Sequence, residues 1–590
     1  MRAGRYLDAQ VSCQRALAAE SSHADSLHLM GLLSLHTKQY QAAVEWLARA
    51  IAQDPKPEYL SSLGTALQQQ GRHEDALKAF DKAVQIRPDD PELWVNLGNA
   101  LVAVKRPADA LLTYQHALEL DPGNWNASYR CGVLFFESGG FEEALPWFDR
   151  CDELRPNDAQ TLHMRGATLR GLKRFEACLA DNMQVHRLDP AHPLHCNNIG
   201  DALLWLGRRD EALKWFDKAL KLKPDDVDAL CNKAVWFRQD HRFAESAAIY
   251  ERLRLLHPNN AKFERDLAYV QLLTGNFTAG WPGREARWKV PGLPIIYPNF
   301  SQPMWRGDAG LQGKSLAAED LTGKTILVYA DEGLGDSIQF ARYVPMVAAR
   351  GAHVILTVPD ALYPLFSGMA GVHECRSYSS TTAPPAFDMY CPLGSLPLAF
   401  GTTLETVPQA AYLPPLAAGR VRSWEERLGP HDRLRVGLVW SGNPKHGNDR
   451  DRSMPLRSMA GLLDVGATFV SLQKDARPDD RAYLGERSDI IDRTADFIDL
   501  AETAALISCL DVVVTVDTSI AHLAATLGRP TFVLLPYLPD WRWLLDREDS
   551  PWYPTARLFR QTSTRDYASV LERVRAELLA RVSAFQAPAG

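Results

Sequence analysis

No stretch of this sequence approaches the ~20 consecutive apolar residues needed to cross a bilayer. Its opening, MRAGRYLDAQVSCQRAL, has no apolar core of the signal-peptide kind, so a cytoplasmic protein is expected. Cysteine is sparse and unpatterned: nine residues, an odd count without a CxxC pair, read as reduced, mostly buried thiols rather than a disulfide framework or zinc site. The Asn126-Ala-Ser, Asn276-Phe-Thr and Asn299-Phe-Ser sequons would then never meet a secretory glycosylation machinery. An excess of positive charge is missing too. With 65 Lys and Arg against 72 Asp and Glu, the net charge of −7 offers no general basic face to nucleic acid or an anionic membrane, and leaves only local basic pockets. Neither GxGxxG nor a Walker lysine occurs after a strand, which leaves dinucleotide and ATPase readings unsupported.

What the chain does have, in 590 residues, is room for several domains and an internal period. Small residues recur at Gly31, Gly64, Gly98, Gly132, Gly166, Gly200, Ala234 and Ala268, and prolines follow at Pro55, Pro88, Pro122, Pro156, Pro190, Pro224 and Pro258. Between them lie a second small residue and a large one, as in Ala76 with Phe80 or Ala144 with Phe148. Two antiparallel helices per unit explain the pattern: small residues allow close crossing, large ones fill the gap, and proline ends the second helix. The pattern resembles the tetratricopeptide repeat, and implies an all-α superhelix over residues 1–289 whose groove takes a protein or peptide. Residues 1–22 fit only a second helix, which leaves room for an upstream start, and the unit from Ala261 replaces its second half with GNFTAGWPGREARWKV, a cap or a seam. In the array of protein O-GlcNAc transferases, to which this one is similar, an asparagine ladder stands two residues before the glycine. Asn96, Asn198 and Asn232 match it here, whereas Ser62, Arg130, Met164 and Asp266 do not.

Residues 290–322, rich in Pro and Gly, read as a linker. The period then changes to buried strands alternating with helices, TILVYA, HVILTV, RVGLVW, TFVSL and VVVTV, which predicts a multidomain chain ending in an α/β domain of two Rossmann-like halves, 323–417 and 418–590. In such sheets ligands bind at the carboxyl ends of the strands. Three loops qualify. After the first strand, Gly333 and Gly335 allow a sharp turn and close approach, and Asp336 starts a helix as either a cap or a catalytic carboxylate. After RVGLVW, a turn-rich segment carries Lys445, His446, Arg450 and Arg452, either a diphosphate cradle or a solvated loop, with Gln473 and Lys474 ending the next strand. After VVVTV, Asp517, Thr518 and Ser519 open a helix with Ile520, Leu523, Ala524 and Leu527 on its inner face. That helix start is either an anion site or a plain cap with His522 packed beneath it. Asp449-Arg450-Asp451 has the form of a DxD metal motif, but it lies in a basic loop away from a strand end.

Taken together, GLGDSIQF, VGLVWSGNPKHGNDRDRSMPL, SLQKD and DTSIAHLAATLGRP resemble the heptosyltransferase-like glycosyltransferases of family nine, with their GT-B fold. The resemblance implies inverting, metal-independent transfer of a sugar from a nucleotide-diphosphate donor, with no other cofactor. It casts Asp336 as the base on the acceptor hydroxyl, Thr518 and Ser519 as diphosphate contacts, and Asp517 and His522 as residues shaping that turn. Arg452 falls near the family's phosphate-binding lysine, and Lys474 beside Gln473 is a nucleotide contact. The favoured acceptor is a protein recruited by the repeats. An envelope saccharide, with the repeats serving assembly, and a non-catalytic adaptor are the alternatives; a homodimer is left open.

Overall fold

The computed structural model describes residues 6–307, 321–381, 386–409 and 411–586. The chain divides into two compact units, Met1–Lys233 and Ala234–Gly590, so the second begins inside the repeat stretch rather than after it. Of the expected linker, 308–320 lies outside the described residues.

The first unit opens on the single helix Tyr6–Ala19, as the half-repeat requires, and continues as helix hairpins from Ala24–His36 with Tyr40–Gln53 to Pro193–Trp205 with Arg209–Leu222. Local chemistry sets their ends. Asp90, Asn124 and Asp158 accept backbone N–H groups at N-caps, and Pro57, Pro91, Pro107 and Pro193 occupy first helical positions, where no N–H is needed. Inside these hairpins, that of Gly166 excepted, the small residue is met by a large one sixteen positions on. A methyl carbon at Gly64, Gly98, Gly132 or Gly200 would lie within 3 Å of the ring of Phe80, Tyr114, Phe148 or Phe216. Of the asparagines that match the ladder, Asn96 donates to Ser61 Oγ (3.3 Å) and Asn232 to Asn197 Oδ1 (2.9 Å).

In the second unit the last repeat helices, Phe243–Leu256 and Ala261–Leu273, are followed by the short helix Phe277–Arg284 and a 3-10 turn, Glu285–Lys289. These are a seam onto the α/β region. Leu272, Phe277 and Trp281 join one buried cluster with Phe340, Trp541 and Trp552, and Trp281 Nε1 donates to the Thr402 carbonyl at 2.9 Å.

Two all-parallel sheets follow. The first holds β1 (Thr325–Tyr329), β2 (His353–Val358), β3 (Val372–Ser377) and β4 (Met389–Pro392) in the order β3-β2-β1-β4. The second holds β5 (Arg435–Val439), β6 (Thr468–Ser471), β7 (Ile490–Ile491), β8 (Val512–Val516), β9 (Thr531–Leu535) and β10 (Ala556–Arg560) in the order β10-β9-β8-β5-β6-β7. Strands β5, β8 and β9 are buried along their whole length, as strands covered on both faces must be. The strands the sequence reading passes over, β3, β7 and β10, are outer ones, where VHECRS and ARLFR mix in charge and β7 is only two residues long. The closing helix, Ala568–Gln586, packs on the second sheet through Val570, Val574 and Leu578.

Candidate active site

Both sheets reverse direction at one point. The chain steps outward from β1 through β2 to β3 before returning as β4 on the other side of β1, and outward from β5 to β7 before returning as β8 beside β5. Loops leaving the strands on either side of such a reversal part from each other and open a crevice at the carboxyl ends. The loop after β1 supplies Gly333, Gly335 and Asp336; those after β5 and β6 supply Ser441, Arg452 and Lys474; that after β8 supplies Asp517, Thr518 and Ser519. All of them line one cavity of about 610 Å3.

The two facing helix starts meet across Gly335. A methyl carbon there would lie 2.8 Å from His522 Cδ2 and 3.5 Å from Ser519 Cα, so only glycine lets the helix Leu334–Phe340 approach the helix Ser519–Thr526 this closely. His522 cannot retreat: its Nδ1 bonds Tyr553 Oη at 2.8 Å, and its ring stacks on Trp543. Burial, then Arg542 and Arg342, push its pKa well below the ordinary value, so the ring is neutral. It packs beneath the helix start, with Ala521, Leu523, Ala524 and Ala525 also buried, while Ile520 and Leu527, expected on the inner face, are half-buried.

Asp336 Oδ2 accepts the Gly333 N–H at 3.1 Å, and Oδ1 accepts from Arg542 Nη2. The cap and the cleft-facing carboxylate are therefore the same group, with a quarter of its side-chain surface open. Burial raises its pKa, Arg542 opposes this, and nearby Glu332 adds to it; the carboxyl is pushed up to about 7. Arg542 is fixed on every side, by Asp336, by Gln339 Oε1 (2.6 Å) and by Asp540 Oδ1 (2.7 Å). The loop before Asp336 is anchored by buried charges. Arg287 reaches Asp331 at 3.1 Å and Ser395 Oγ at 2.7 Å, while Arg284 pairs with Glu332 and donates to the Gly394 carbonyl at 2.6 Å. Such a cluster holds its shape because removing one member strands the rest.

On the opposite wall Arg452 Nη1 donates to the Asp517 carbonyl at 2.9 Å, while its Nε is buried with no hydrogen-bond partner among the described residues. Gly442 makes room for it, since a methyl carbon there would sit 2.7 Å from that Nε. Thr518 Oγ1 bonds Thr515 Oγ1 at 3.1 Å. Burial and then Asp540 raise the Asp517 carboxyl above its ordinary pKa.

Three expectations need adjusting. Lys445 is exposed at the tip of its turn, where its N–H donates to Asn443 Oδ1 (3.0 Å), and it does not line the cavity; a surface turn of this kind points its cation to solvent. Gln473 lines the cavity but spends its Oε1 on the Trp440 and Ser441 N–H groups (3.2 and 3.1 Å), tying β6 to β5. Lys474 Nζ donates to the Phe497 carbonyl at 2.9 Å. Asp449 is likewise engaged, by Ser453 Oγ at 2.6 Å and Arg477 at 2.5 Å, and among the described residues no group of His, Cys, Asp and Glu could hold a metal ion. Arg542 and Asp540 were not singled out from the sequence. Their signal is position, since they follow β9 at the same sheet edge as the other loops.

Comparison with known proteins gives matches in both parts of the chain. Residues 61–124, 95–159 and 196–226 match tetratricopeptide-repeat models, and residues 495–542 match glycosyltransferase family 9 (heptosyltransferase). The chain is a tetratricopeptide-repeat glycosyltransferase. The family-9 match covers β8, the helix start at Ser519, β9 and Arg542, and so takes in one wall of the cavity. Residues 3–83 also match a model of the anaphase-promoting complex, cyclosome, subunit 3. Among curated proteins, the transferase is 27% identical to Protein FlbA of Caulobacter vibrioides over 463 residues, 72% of this chain and 74% of that one. It is 24% identical to human Protein O-mannosyl-transferase TMTC1 over 220 residues, 37% of this chain and 25% of that one. Among solved structures, YrrB, a TPR protein with an unusual peptide-binding site, is 25% identical over 32% of this chain and 99% of its own, with a TM-score of 0.29. No helix among the described residues is long and apolar enough to cross a membrane.

Proposed function

We propose that the 610 Å3 cavity takes a nucleotide-diphosphate sugar and that Asp336 is the base that draws the acceptor hydroxyl onto it, with inversion and without a metal ion. The observation carrying this reading is the placement of a carboxylate of raised pKa and a helix start with an adjoining guanidinium on facing walls of one cavity. A base works best when its pKa lies near the operating pH, and about 7 suits the task. In the reaction the acceptor O–H gives its proton to an Asp336 oxygen, the acceptor oxygen bonds to the anomeric carbon from the face opposite the phosphate, and the carbon–phosphate-oxygen bond breaks. The leaving diphosphate is met by the amides at Ser519 and by Arg452, whose buried Nε then gains a partner. Thr518 supplies a hydroxyl. Gln473 and His522 hold these loops in place.

A protein acceptor recruited by residues 1–289 is favoured over a saccharide. The repeats are of a protein-binding kind, and one relative bears the name of a protein O-mannosyl-transferase. Titration calorimetry with common nucleotide sugars, on the parent and on Asp336→Asn, tests the reading. The expected result is that one donor binds both proteins while only the parent transfers the sugar to lysate protein, with inverted configuration at the anomeric carbon. Full turnover by Asp336→Asn, or binding by no donor, defeats it.

A further inference from the structure

Arg542 lines a second cavity as well, of about 470 Å3, formed by the last repeat helices together with the loop 293–295, Glu332 and Trp541. One guanidinium, the partner of Asp336, is therefore common to both spaces. The lining charges do not balance. Arg265 is paired with Asp266 at 2.6 Å, Arg284 with Glu332, Arg287 with Asp331 at 3.1 Å and Arg542 with Asp540 at 2.7 Å. Arg238 has no acidic partner among the described residues. Its guanidinium lies 5.0 Å from the centre of the Tyr269 ring, and its Nε is buried without a hydrogen-bond partner. Tyr269 is itself held from behind, its hydroxyl donating to the Pro539 carbonyl at 3.4 Å, so the cation rests on a fixed platform. Beside these groups and Tyr250, the lining is apolar, through Val235, Leu272, Leu293, Pro294, Ile295 and Trp541.

A space whose other charged groups are spent in pairs, with one guanidinium lacking an acidic partner beside an apolar strip, suits a ligand that brings one carboxylate and some apolar surface. Its paired groups leave few free donors and acceptors for a saccharide, whose many hydroxyls each need a partner. Cavities of a few hundred Å3 with a small number of fixed polar groups are the usual form of a specific site. We propose that this cavity is the acceptor subsite, and that it takes a peptide in which the modified serine or threonine has an acidic neighbour. The acidic side chain pairs with Arg238, the backbone lies along Leu272, Ile295 and Trp541, and the hydroxyl is presented past Arg542 toward Asp336. The proposal rests on Asp336 being the base and names the class of acceptor that reading leaves open.

The test uses the full chain and needs no donor. Two fluorescein-labelled heptapeptides, each with one central serine, flanked by aspartates in one and by lysines in the other, are titrated by fluorescence anisotropy. The acidic peptide is expected to bind at least about tenfold more tightly, as one charge-assisted pair would give. Arg238→Glu should reverse the order of the two peptides, and Arg238→Gln should abolish the difference. Equal binding of both peptides to the parent, an unchanged preference in Arg238→Glu, or failure of the acidic peptide to bind overturns the proposal. If Arg238→Glu does not fold, as a thermal melt would show, Arg238→Gln decides the matter alone. Calorimetry with nucleotide sugars separates this result from the donor reading. Donor binding retained in the Arg238 variants alongside lost peptide preference places the effect in the second cavity, and lost donor binding in the parent counts against the donor cleft whatever the peptides do.

Discussion

The same device, a glycine pressed against a ring, appears in both compact units but over different spans of chain. In the repeats Gly98 faces Tyr114, sixteen residues away in the same hairpin; in the α/β region Gly335 faces His522, which belongs to the other sheet's loops. The first contact closes a local unit and can be lost without consequence for distant ones, because a repeat array is stabilised by nearest neighbours. The second sets the separation of two helix starts and with it the geometry of the cavity. A difference in span thus becomes a difference in kind, with fold on one side and chemistry on the other.

The sharpest way to probe the comparison is at the cleft. Asp336→Asn keeps the size of the side chain and an acceptor for the Gly333 N–H, so donor affinity should survive while turnover falls by about 10² to 10⁴, the range that loss of a general base gives. Single-turnover assays with radiolabelled donor would read it. A fall of less than a few-fold would leave Asp336 as a cap and nothing more.

The pH profile comes next in size. With the Asp336 carboxyl at about 7, the deprotonated form that the proposed base role requires is lost as pH falls, so kcat/KM should drop about tenfold per unit below that value and level off above it. Stability runs the other way. A carboxyl whose pKa is higher folded than unfolded holds its proton longer in the native state, so its contribution declines as pH rises from about 4 to about 7. In Asp336→Asn that slope in urea midpoints should vanish. Arg542→Gln removes the group that opposes the rise, and should shift the acidic limb upward.

Gly335→Ala attacks the long-range contact itself. The added carbon meets a buried imidazole held by Tyr553 and Trp543, so the helices must part, at a cost of about 1–3 kcal/mol. Because the parting occurs at the cavity, donor affinity should fall with stability. Loss of stability with unchanged donor affinity would show that the two helix starts do not set the site.

How much of this was legible in the sequence follows the same division of span. The hairpins could be read because each contact lies inside one 34-residue period, and buried strands such as VVVTV announce themselves by composition. The outer strands β3 and β10 could not, since half-exposed edges carry charge. Residues adjoining strand ends could be picked out, and Asp336, Arg452 and Thr518 line one cavity, because a sheet's carboxyl edge is a position in sequence as well as in space. Lys445 was misplaced because a basic loop does not say which of its cations turns inward. Arg542 was missed because its role depends on Asp336 from the other sheet, a pairing that no local pattern encodes. The buried Arg284, Arg287, Asp331 and Glu332 cluster was hidden for the same reason.

The smallest effects belong to the repeats, and they test whether the short-range contact is as local as it looks. Alanine at Gly98 gains helix propensity of about 1 kcal/mol but places a carbon 2.3 Å from the Tyr114 ring, which Asn99 holds by a 2.8 Å bond to its hydroxyl. The overlap outweighs the gain, and a net loss of about 1–2 kcal/mol is expected. Gly166 differs, for no ring faces it and the nearest atom, Asn182 Nδ2, lies at 3.3 Å, so Gly166→Ala should stay within about 1 kcal/mol of the parent. Hydrogen exchange would show the Gly98→Ala loss confined to the hairpin of Pro91–Ala103 and Pro107–Leu120 and its neighbours, with donor affinity untouched. Should donor affinity fall with it, the two units are coupled, and the distinction between a contact that shapes the fold and one that shapes the chemistry no longer holds.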